Sequence, residues 1–295
     1  MKKGILISLI ALVLLLAGGG FLLLPKKAEE RRTKQGSASL VETVSDAPKE
    51  ESNEFLQPND EVLAAFETRD ETKIQMACLN QYREINPETV GIITIPGTVL
   101  CHPLMRSKSR EGFYLNHDLL GKSNPNGIPF MTRNSSLGKA GSNAIIYGHN
   151  IRYGQKDVFY PLSGYEKLSY YKEHPVIEIY TDEGKCEYLV FAYYLVDTAD
   201  EDAFVYWEKT GFSKTDLEAY LDEVKKRNWL NVDLPLDETD SFITLSSCSM
   251  ELAHSGTNRM VVMARACRKG ESYEEYVSAA SMNTNPYLPK KLRME

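Results

Sequence analysis

The 295-residue sequence predicts a mainly β protein whose strands close, or nearly close, into a barrel. Beyond Pro87 the chain consists of short runs rich in Val, Ile and Tyr, separated by Gly, Pro, Asn and Ser, which is the pattern of strands joined by turns. One clear helical pattern interrupts these runs late in the chain. The predicted strands are residues 90–95, 98–104, 143–148, 176–181, 187–196, 242–247 and 259–267.

The first 25 residues predict a short cytoplasmic end followed by a membrane anchor. Residues 4–24 contain no charged side chain. A helix of that length spans roughly 30 Å, the thickness of the hydrocarbon core of a bilayer. The alternative is a cleaved signal peptide, whose apolar core is shorter, about 7–15 residues. Because the run is longer than that and Pro25, Lys26 and Lys27 follow it, we favour an uncleaved anchor with the remaining chain outside the cell.

A tether and then a helical arm are predicted between the anchor and the strands. Residues 26–54 are charged and small, so they cannot bury enough apolar surface to fold and predict a flexible extracellular tether. The ordered domain is therefore expected over residues 55–295. Its first element is a helix capped by Asn59 and running to about Glu84.

Two further helices are predicted within this domain. Ser213 and Asp216 form a capping-box pattern, and Leu217 and Val224 follow at helical spacing, which predicts an inserted helix over residues 213–230. A short helix is expected at 272–281, followed by loose chain.

The distribution of charge argues against nucleic-acid binding. The formal net charge is −7, but seven of the 34 basic residues lie in the first 34 positions, so the rest of the chain carries 27 basic and 39 acidic residues. Nucleic-acid binding needs a basic surface instead.

The cysteines of the chain indicate neither a zinc site nor a complete set of disulfides. None of them forms a CxxC pair with zinc-ligand spacing. Their number is odd for an extracellular domain, so at least one is a free thiol or pairs with another chain. The five are Cys78, Cys101, Cys186, Cys248 and Cys267.

Cys248 is distinguished from the other cysteines by its position at the end of a predicted strand. Arg259 opens the next predicted strand, so a hairpin over the intervening residues brings the two side by side. An arginine beside a cysteine favours the thiolate and can hydrogen-bond a carbonyl oxygen that gains negative charge. Taken alone, Cys248 is more typical of a buried apolar residue, as most free cysteines are.

His149 is the best candidate for a proton-transfer residue. It ends the apolar segment AIIYGHN, where Gly148 is expected to allow a sharp exit from the strand. His254 lies closer to Cys248 in sequence but falls in the loop AHSGTN, and His174 precedes a proline as a turn residue would.

Three segments together resemble the signature segments of the sortases. They are TLSSC at 244–248, RMVVMA at 259–264 and IIYGHN at 145–150. The residues at 85–105 and 113–127 resemble the family's preceding segments, so the resemblance covers roughly residues 80–267. The helical arm and the inserted helix resemble class B members. Each motif alone is weak, whereas the combination is highly specific.

The resemblance implies a closed eight-stranded barrel and a cysteine transpeptidase without a metal or organic cofactor. It implies Cys248 as nucleophile, His149 as proton partner and Arg259 as the positive group. The substrates would be secreted proteins with a C-terminal sorting motif, and the acceptor would be an amine of the cell-wall peptide or a pilin lysine. Substrate contacts are expected at Ser246, Ser247, Glu111 and Tyr147. Two of these depart from the family pattern, which usually has Thr where Ser247 stands and, in class B, often Asn where Glu111 stands.

Two alternatives remain open at this point. A cysteine peptidase would use the same Cys and His but release the acyl group to water, and an Asn or Asp would orient its His. Asn150 directly follows His149, and adjacent residues seldom point the same way. A non-enzymatic, membrane-tethered binding domain would instead bury Cys248 in its core.

Overall fold

The computed structural model describes residues 57–151, 156–248 and 256–293, with the backbone alone at Cys248. The predicted anchor and tether lie outside these residues, and no helix within the described ranges is long and apolar enough to cross a membrane. Its helices are α1 Asp60–Thr68, α2 Glu71–Ile85, α3 Leu168–Glu173, α4 Lys214–Arg227, α5 Glu274–Ala279 and α6 Lys290–Arg293. Its strands are β1 Thr89–Thr94, β2 Cys101–Met105, β3 Phe130–Met131, β4 Asn143–Tyr147, β5 Asn150–Ile151, β6 Asp157–Val158, β7 Val176–Thr181, β8 Gly184–Asp197, β9 Leu230–Asn231, β10 Phe242–Cys248, β11 Asn258–Ala266 and β12 Ser281–Met282.

Eight of these strands close into one mixed barrel, in the order β1-β2-β3-β4-β10-β11-β8-β7. The pairs β2–β3 and β4–β10 are parallel, and the other pairs are antiparallel. The predicted closed barrel is therefore confirmed. The sequence did not predict β3, because two residues are too few to show an alternating pattern. This short strand nevertheless joins β2 to β4 and so completes the closure.

The strands of the barrel bury side chains on both faces. On β10, Ile243 and Leu245 belong to the interior cluster, whereas Phe242 packs outside the barrel with Leu217 and Tyr220 of α4. Since successive residues of a strand point to opposite faces, this alternation explains why the strands are apolar along their whole length. The helix predicted before the nucleophile strand thus covers one side of the barrel.

The N-terminal arm consists of two helices rather than the single helix predicted from Asn59 to Glu84. Asn59 caps α1 as expected, and its side chain accepts a hydrogen bond from the Val62 N–H at 2.9 Å. The helix ends at Arg69, whose φ of 57° is left-handed, and Asp70 then caps α2. No Gly or Pro marks this break, so the sequence offered no breaker signal.

The capping box predicted at Ser213 is confirmed. Ser213 Oγ accepts a hydrogen bond from the Asp216 N–H at 3.3 Å and donates one to Asp216 Oδ2 at 2.7 Å. The helix ends at Arg227 instead of 230, because Asn228 leaves the helical conformation. The Asn228 amide group bonds the backbone of Phe191 and Tyr193 on β8, both at 2.9 Å, and so fixes the end of α4 against the barrel.

Candidate active site

The antiparallel pairing of β10 with β11 places Arg259 directly opposite Cys248. Their Cα atoms are partners in a register that runs without a shift from Phe242–Arg265 to Cys248–Arg259. Residues directly opposite each other in an antiparallel pair share a face of the sheet. The hairpin inferred from the sequence therefore brings these two residues together at one end of the barrel.

The parallel pairing of β4 with β10 brings His149 to the same end. Tyr147 and Ser246 are partners in this register. Beyond them, the Gly148 N–H donates to the Ser246 carbonyl at 3.3 Å, and Ser247 Oγ donates to the Gly148 carbonyl at 2.7 Å. His149 and Cys248 each come directly after this joined pair, so both lie at the same end of the barrel.

The imidazole of His149 is oriented by a backbone carbonyl. Its Nε2 lies 2.8 Å from the carbonyl oxygen of Leu115, which is in the loop between β2 and β3. A carbonyl can only accept, so the proton of the neutral ring is on Nε2 and the lone pair is on Nδ1. The main chain of His149 is held as well, since its carbonyl accepts the Phe159 N–H at 2.9 Å.

Gly148 is required for a different reason from the one predicted. Its φ lies outside the left-handed region, so a sharp exit from the strand is not what requires glycine. A Cβ at this position would instead meet three carbon atoms of the Phe159 ring at 2.8–3.0 Å. Glycine therefore allows an aromatic ring to pack directly against the backbone next to His149.

The guanidinium of Arg259 is placed by carbonyls of the turn that precedes it. Its Nη1 donates to the carbonyls of Gly256 at 2.8 Å and Asn258 at 2.9 Å, and the side chain is half-buried. The turn itself is fixed to the end of β8, because the N–H and the Oγ1 of Thr198 both donate to the Thr257 carbonyl at 3.0 Å.

Tyr147 lies close enough to Arg259 and Glu111 for the charges of both to act on its hydroxyl group. Burial raises the pKa of the Tyr147 hydroxyl, the positive charge of Arg259 opposes that rise, and the negative charge of Glu111 adds to it. The exposed Glu111 carboxylate also accepts the Arg133 N–H at 3.3 Å. Glu111 and Tyr147, both predicted substrate contacts, therefore lie in the same region as Arg259.

Ser246 and Ser247, the other two predicted substrate contacts, are buried in the structure. The Ser246 hydroxyl bonds the Tyr206 hydroxyl at 2.6 Å, and the Ser247 hydroxyl bonds the Gly148 carbonyl described above. These bonds give each serine a structural role at the end of the barrel. Substrate contact at the two positions stays a prediction.

Cys78, Cys101, Cys186 and Cys267 are free thiols in the structure. Burial raises the pKa of Cys78 to about 12, raises those of Cys101 and Cys267 to about 11, and also raises that of Cys186. Because the thiolate is the reactive form of cysteine, these shifts disfavour reaction at all four near neutral pH. Across the described ranges, no group of three or more His, Cys, Asp or Glu side chains is arranged to hold a metal ion.

A comparison with family models decides the family. The model of the sortase domain matches residues 93–267, more than half of the chain and a span that contains every residue of the site. The chain belongs to the sortase family.

Individual relatives place this sortase with class B, whose members are cysteine transpeptidases. It is 30% identical to sortase B of Staphylococcus aureus over 228 residues, 77% of this chain and 88% of that one. It is 29% identical to sortase B of Listeria monocytogenes over 191 residues, 65% of this chain and 74% of that one. The structure of a Staphylococcus aureus sortase B–substrate complex matches with a TM-score of 0.58 and 30% identity, covering 70% of this chain and 92% of that chain.

Two parts of the site in this sortase were not foreseen from the sequence. The acceptor for His149 is the Leu115 carbonyl, and every residue has a carbonyl, so residue identity gives no signal for it. Phe159 donates its N–H to the His149 carbonyl and packs its ring against Gly148, although it lies ten positions beyond His149 along the chain. The only sequence sign of that contact was the glycine at 148.

Proposed function

We propose that this sortase cuts a C-terminal sorting motif of secreted proteins through a thioester on Cys248 and passes the acyl group to an amine. The observation that supports this most strongly is the convergence of three chain segments at one end of the barrel. Arg259 is the cross-strand partner of Cys248, and the Ser247–Gly148 hydrogen bond joins the segments that lead to Cys248 and His149. These residue types supply a nucleophile, a proton carrier and a positive charge.

In the first half of the reaction, the Cys248 thiolate attacks the carbonyl carbon of the scissile peptide bond. A C–S bond forms, and the carbonyl oxygen takes up the negative charge, which the Arg259 guanidinium stabilises by hydrogen bonding. The C–N bond then breaks, and His149, which carries protons on both ring nitrogens at this stage, gives the Nδ1 proton to the leaving nitrogen and becomes neutral. The products are a free amine and an acyl thioester on Cys248.

In the second half, an acceptor amine attacks the thioester carbon. His149, now neutral, takes a proton from the attacking nitrogen as the new C–N bond forms. The C–S bond breaks, and Cys248 leaves as the thiolate, which restores the starting state. The Leu115 carbonyl supports this role, because it holds the ring in one orientation and leaves Nδ1 to exchange the proton.

The identity of the acceptor is inferred from the relatives. One solved sortase B, 28% identical to this chain with a TM-score of 0.58, is complexed with triglycine, a peptide that ends in a primary amine. By this similarity we infer that the acceptor here is an amine of the cell-wall peptide or a pilin lysine.

The sortase family is associated with the cell envelope, and the sequence supports a specific arrangement there. We propose that residues 4–24 anchor the chain in the membrane with the amino terminus inside, that residues 26–54 are an extracellular tether, and that residues 55–295 are the catalytic domain. The absence of charge over residues 4–24 and the charged composition that follows support this arrangement.

The partition of products tests the proposed reaction. The full chain is incubated with peptides carrying candidate sorting motifs, with and without triglycine, and the products are identified by mass spectrometry. Ligation of the peptide's acyl part to triglycine is expected. Release of the free acid alone, at any triglycine concentration, would instead identify a cysteine peptidase.

The His149→Ala and His254→Ala variants are compared in the same assay, and we expect only the first to lose about 10²–10⁴ in rate.

A further inference from the structure

A buried His–Asp pair lies beneath the site and is not used in the reaction described above. His102 on β2 and Asp157 on β6 are 2% and 7% exposed, and His102 Nε2 lies 2.8 Å from Asp157 Oδ1. A carboxylate can only accept, so Nε2 carries the proton and donates it. Burying these two polar groups costs free energy, and removing either one leaves the other buried and unpaired. The pair therefore calls for a specific explanation.

Asp157 also fixes the chain that follows it. The same Oδ1 accepts the Val158 N–H at 2.8 Å. Val158 has a φ of 51°, a left-handed conformation that is unfavourable for a β-branched residue and persists only where the surroundings impose it. The side chains of Val158 and Phe159 are fully buried in the interior cluster, which supplies that support.

This turn leads directly to the backbone of His149. β6 pairs with β5, whose first residue follows His149, in the register Asn150–Val158. The next residue, Phe159, donates its N–H to the His149 carbonyl and packs its ring against Gly148. The backbone is therefore held immediately before His149, at His149 itself and immediately after it.

We propose that the His102–Asp157 pair is a positioning pair that sets the orientation of His149 through the turn at Val158 and Phe159. The inference rests on the proposed role of His149 in proton transfer. The pair connects the barrel wall to the hairpin, since His102 belongs to β2 and Asp157 to β6. Removing the carboxylate frees the turn at Val158, and His149 then loses the alignment that proton transfer needs.

The test compares Asp157→Ala with Asp157→Asn in the full chain. The Asn side chain keeps an oxygen that can accept from both His102 and Val158, so we expect it to keep most of the wild-type kcat. We expect Asp157→Ala to lower kcat about 10- to 100-fold with little change in KM, because misalignment of a catalytic group has effects of this size. In a histidine-labelled sample, the NMR signal of the His149 ring should shift in Asp157→Ala and stay in place in Asp157→Asn.

The matched control is Glu271→Ala, which breaks another buried ion pair, that of Arg265, at the opposite end of the barrel. It should lower the melting temperature without changing kcat or the His149 signal. A folded Asp157→Ala variant with wild-type kcat and an unchanged His149 signal would overturn the proposal. If His149→Ala itself kept full activity, the proposed function would fail instead, so the two failures are distinguishable.

A second pair of variants decides the question if Asp157→Ala does not fold. His102→Leu removes the donor and keeps a large side chain, whereas His102→Gln keeps an N–H that can reach Asp157. We expect His102→Leu to lower kcat and His102→Gln to retain it. Equal rates for the two variants would show that the hydrogen bond does not position His149.

Discussion

Two arginines on the same strand show how the two ends of the barrel differ. Arg265 and Arg259 both lie on β11 and pair with the two ends of β10. Arg265 is fully buried, and its guanidinium donates two hydrogen bonds to the Glu271 carboxylate at 2.6 and 2.8 Å. Arg259 is half-buried and donates to the neutral carbonyls of Gly256 and Asn258. A carboxylate neutralises the charge of Arg265, whereas the backbone carbonyls of Gly256 and Asn258 fix the orientation of Arg259.

The surroundings of the two arginines extend this difference. At the far end, Arg268 bonds the carboxylates of Asp237 and Asp240 at 2.8 Å, and its N–H donates to Glu271. At the site end, backbone carbonyls orient His149 and Arg259. We infer that the far end contributes mainly stability, while the backbone contacts at the site end hold the side chains of His149 and Arg259 in fixed orientations.

The largest effect is expected from a pair of cysteines at the two ends. Cys248→Ala should abolish turnover, because it removes the proposed nucleophile, and should leave the melting temperature nearly unchanged. Cys267→Ala, past the far end of β11, should retain activity with a small loss of stability from the removed side chain. Peptide cleavage and thermal melts measure both. Activity that survives Cys248→Ala and disappears with Cys267→Ala would reverse the assignment.

The arginines themselves give the next largest effect. Arg259→Lys should lower the rate about 10²–10³-fold, the usual cost of losing an oxyanion donor, since a lysine cannot reproduce the planar guanidinium. Arg265→Lys should leave the rate unchanged and cost about 1–3 kcal/mol in the free energy of unfolding, because one hydrogen bond to Glu271 is lost. Kinetics and denaturant melts on both variants test the comparison. Wild-type turnover in Arg259→Lys would leave Arg259 no role beyond its charge.

A smaller change at the site end should act through packing. Gly148→Ala places a Cβ at 2.8 Å from the Phe159 ring, so the ring or the backbone next to His149 must move. We expect a fall in kcat of about 10- to 100-fold, as misalignment of a catalytic group produces. Gly211→Ala is the matched control, since the atom nearest to its added Cβ is the Gly141 carbonyl oxygen at 3.3 Å, and Gly141 precedes β4 whereas Gly148 follows its other end. Equal kcat values in the two variants would show that the packing of Phe159 against Gly148 does not affect the reaction.

The smallest effect is the acid sensitivity of the far end. Hydrogen bonds from Arg265 lower the pKa of Glu271 below its ordinary value of 4.5. A carboxyl group with a lowered pKa in the folded state contributes its full stability above pH 4.5 and loses it as the pH falls through the folded value. The difference in melting temperature between wild type and Glu271→Gln should therefore shrink in acid. A difference that stays constant from neutral pH to about pH 3 would contradict this account.

The proximity of Cys248 and Arg259 could be predicted from the sequence more directly than the position of His149. Cys248 and Arg259 flank one hairpin, so their pairing follows from two adjacent strands and the turn between them. His149 reaches the same place only because β4 pairs in parallel with β10, about 100 positions later, and strand patterns do not reveal such partners. The sequence singled out His149 by its position at a strand end, but only the resemblance to the sortases associated it with Cys248.

Other features had no sequence signal or a misleading one. The Leu115 carbonyl and the Phe159 N–H are backbone groups, so residue types do not predict their roles. The break at Arg69 divides the predicted helix without a glycine or proline. Gly148 was singled out correctly, but for conformational freedom rather than for the packing of an aromatic ring.

The most direct test of the account is the mass of the acyl intermediate. The full chain is mixed with sorting-motif peptides, quenched in acid and analysed by intact and peptide-mapping mass spectrometry. We predict an adduct with the mass of the peptide's acyl part, located on Cys248 and released by hydroxylamine as expected of a thioester. An adduct on Cys78, Cys101, Cys186 or Cys267, or turnover of the peptide by the Cys248→Ala variant, would contradict the assignment of Cys248 as the nucleophile.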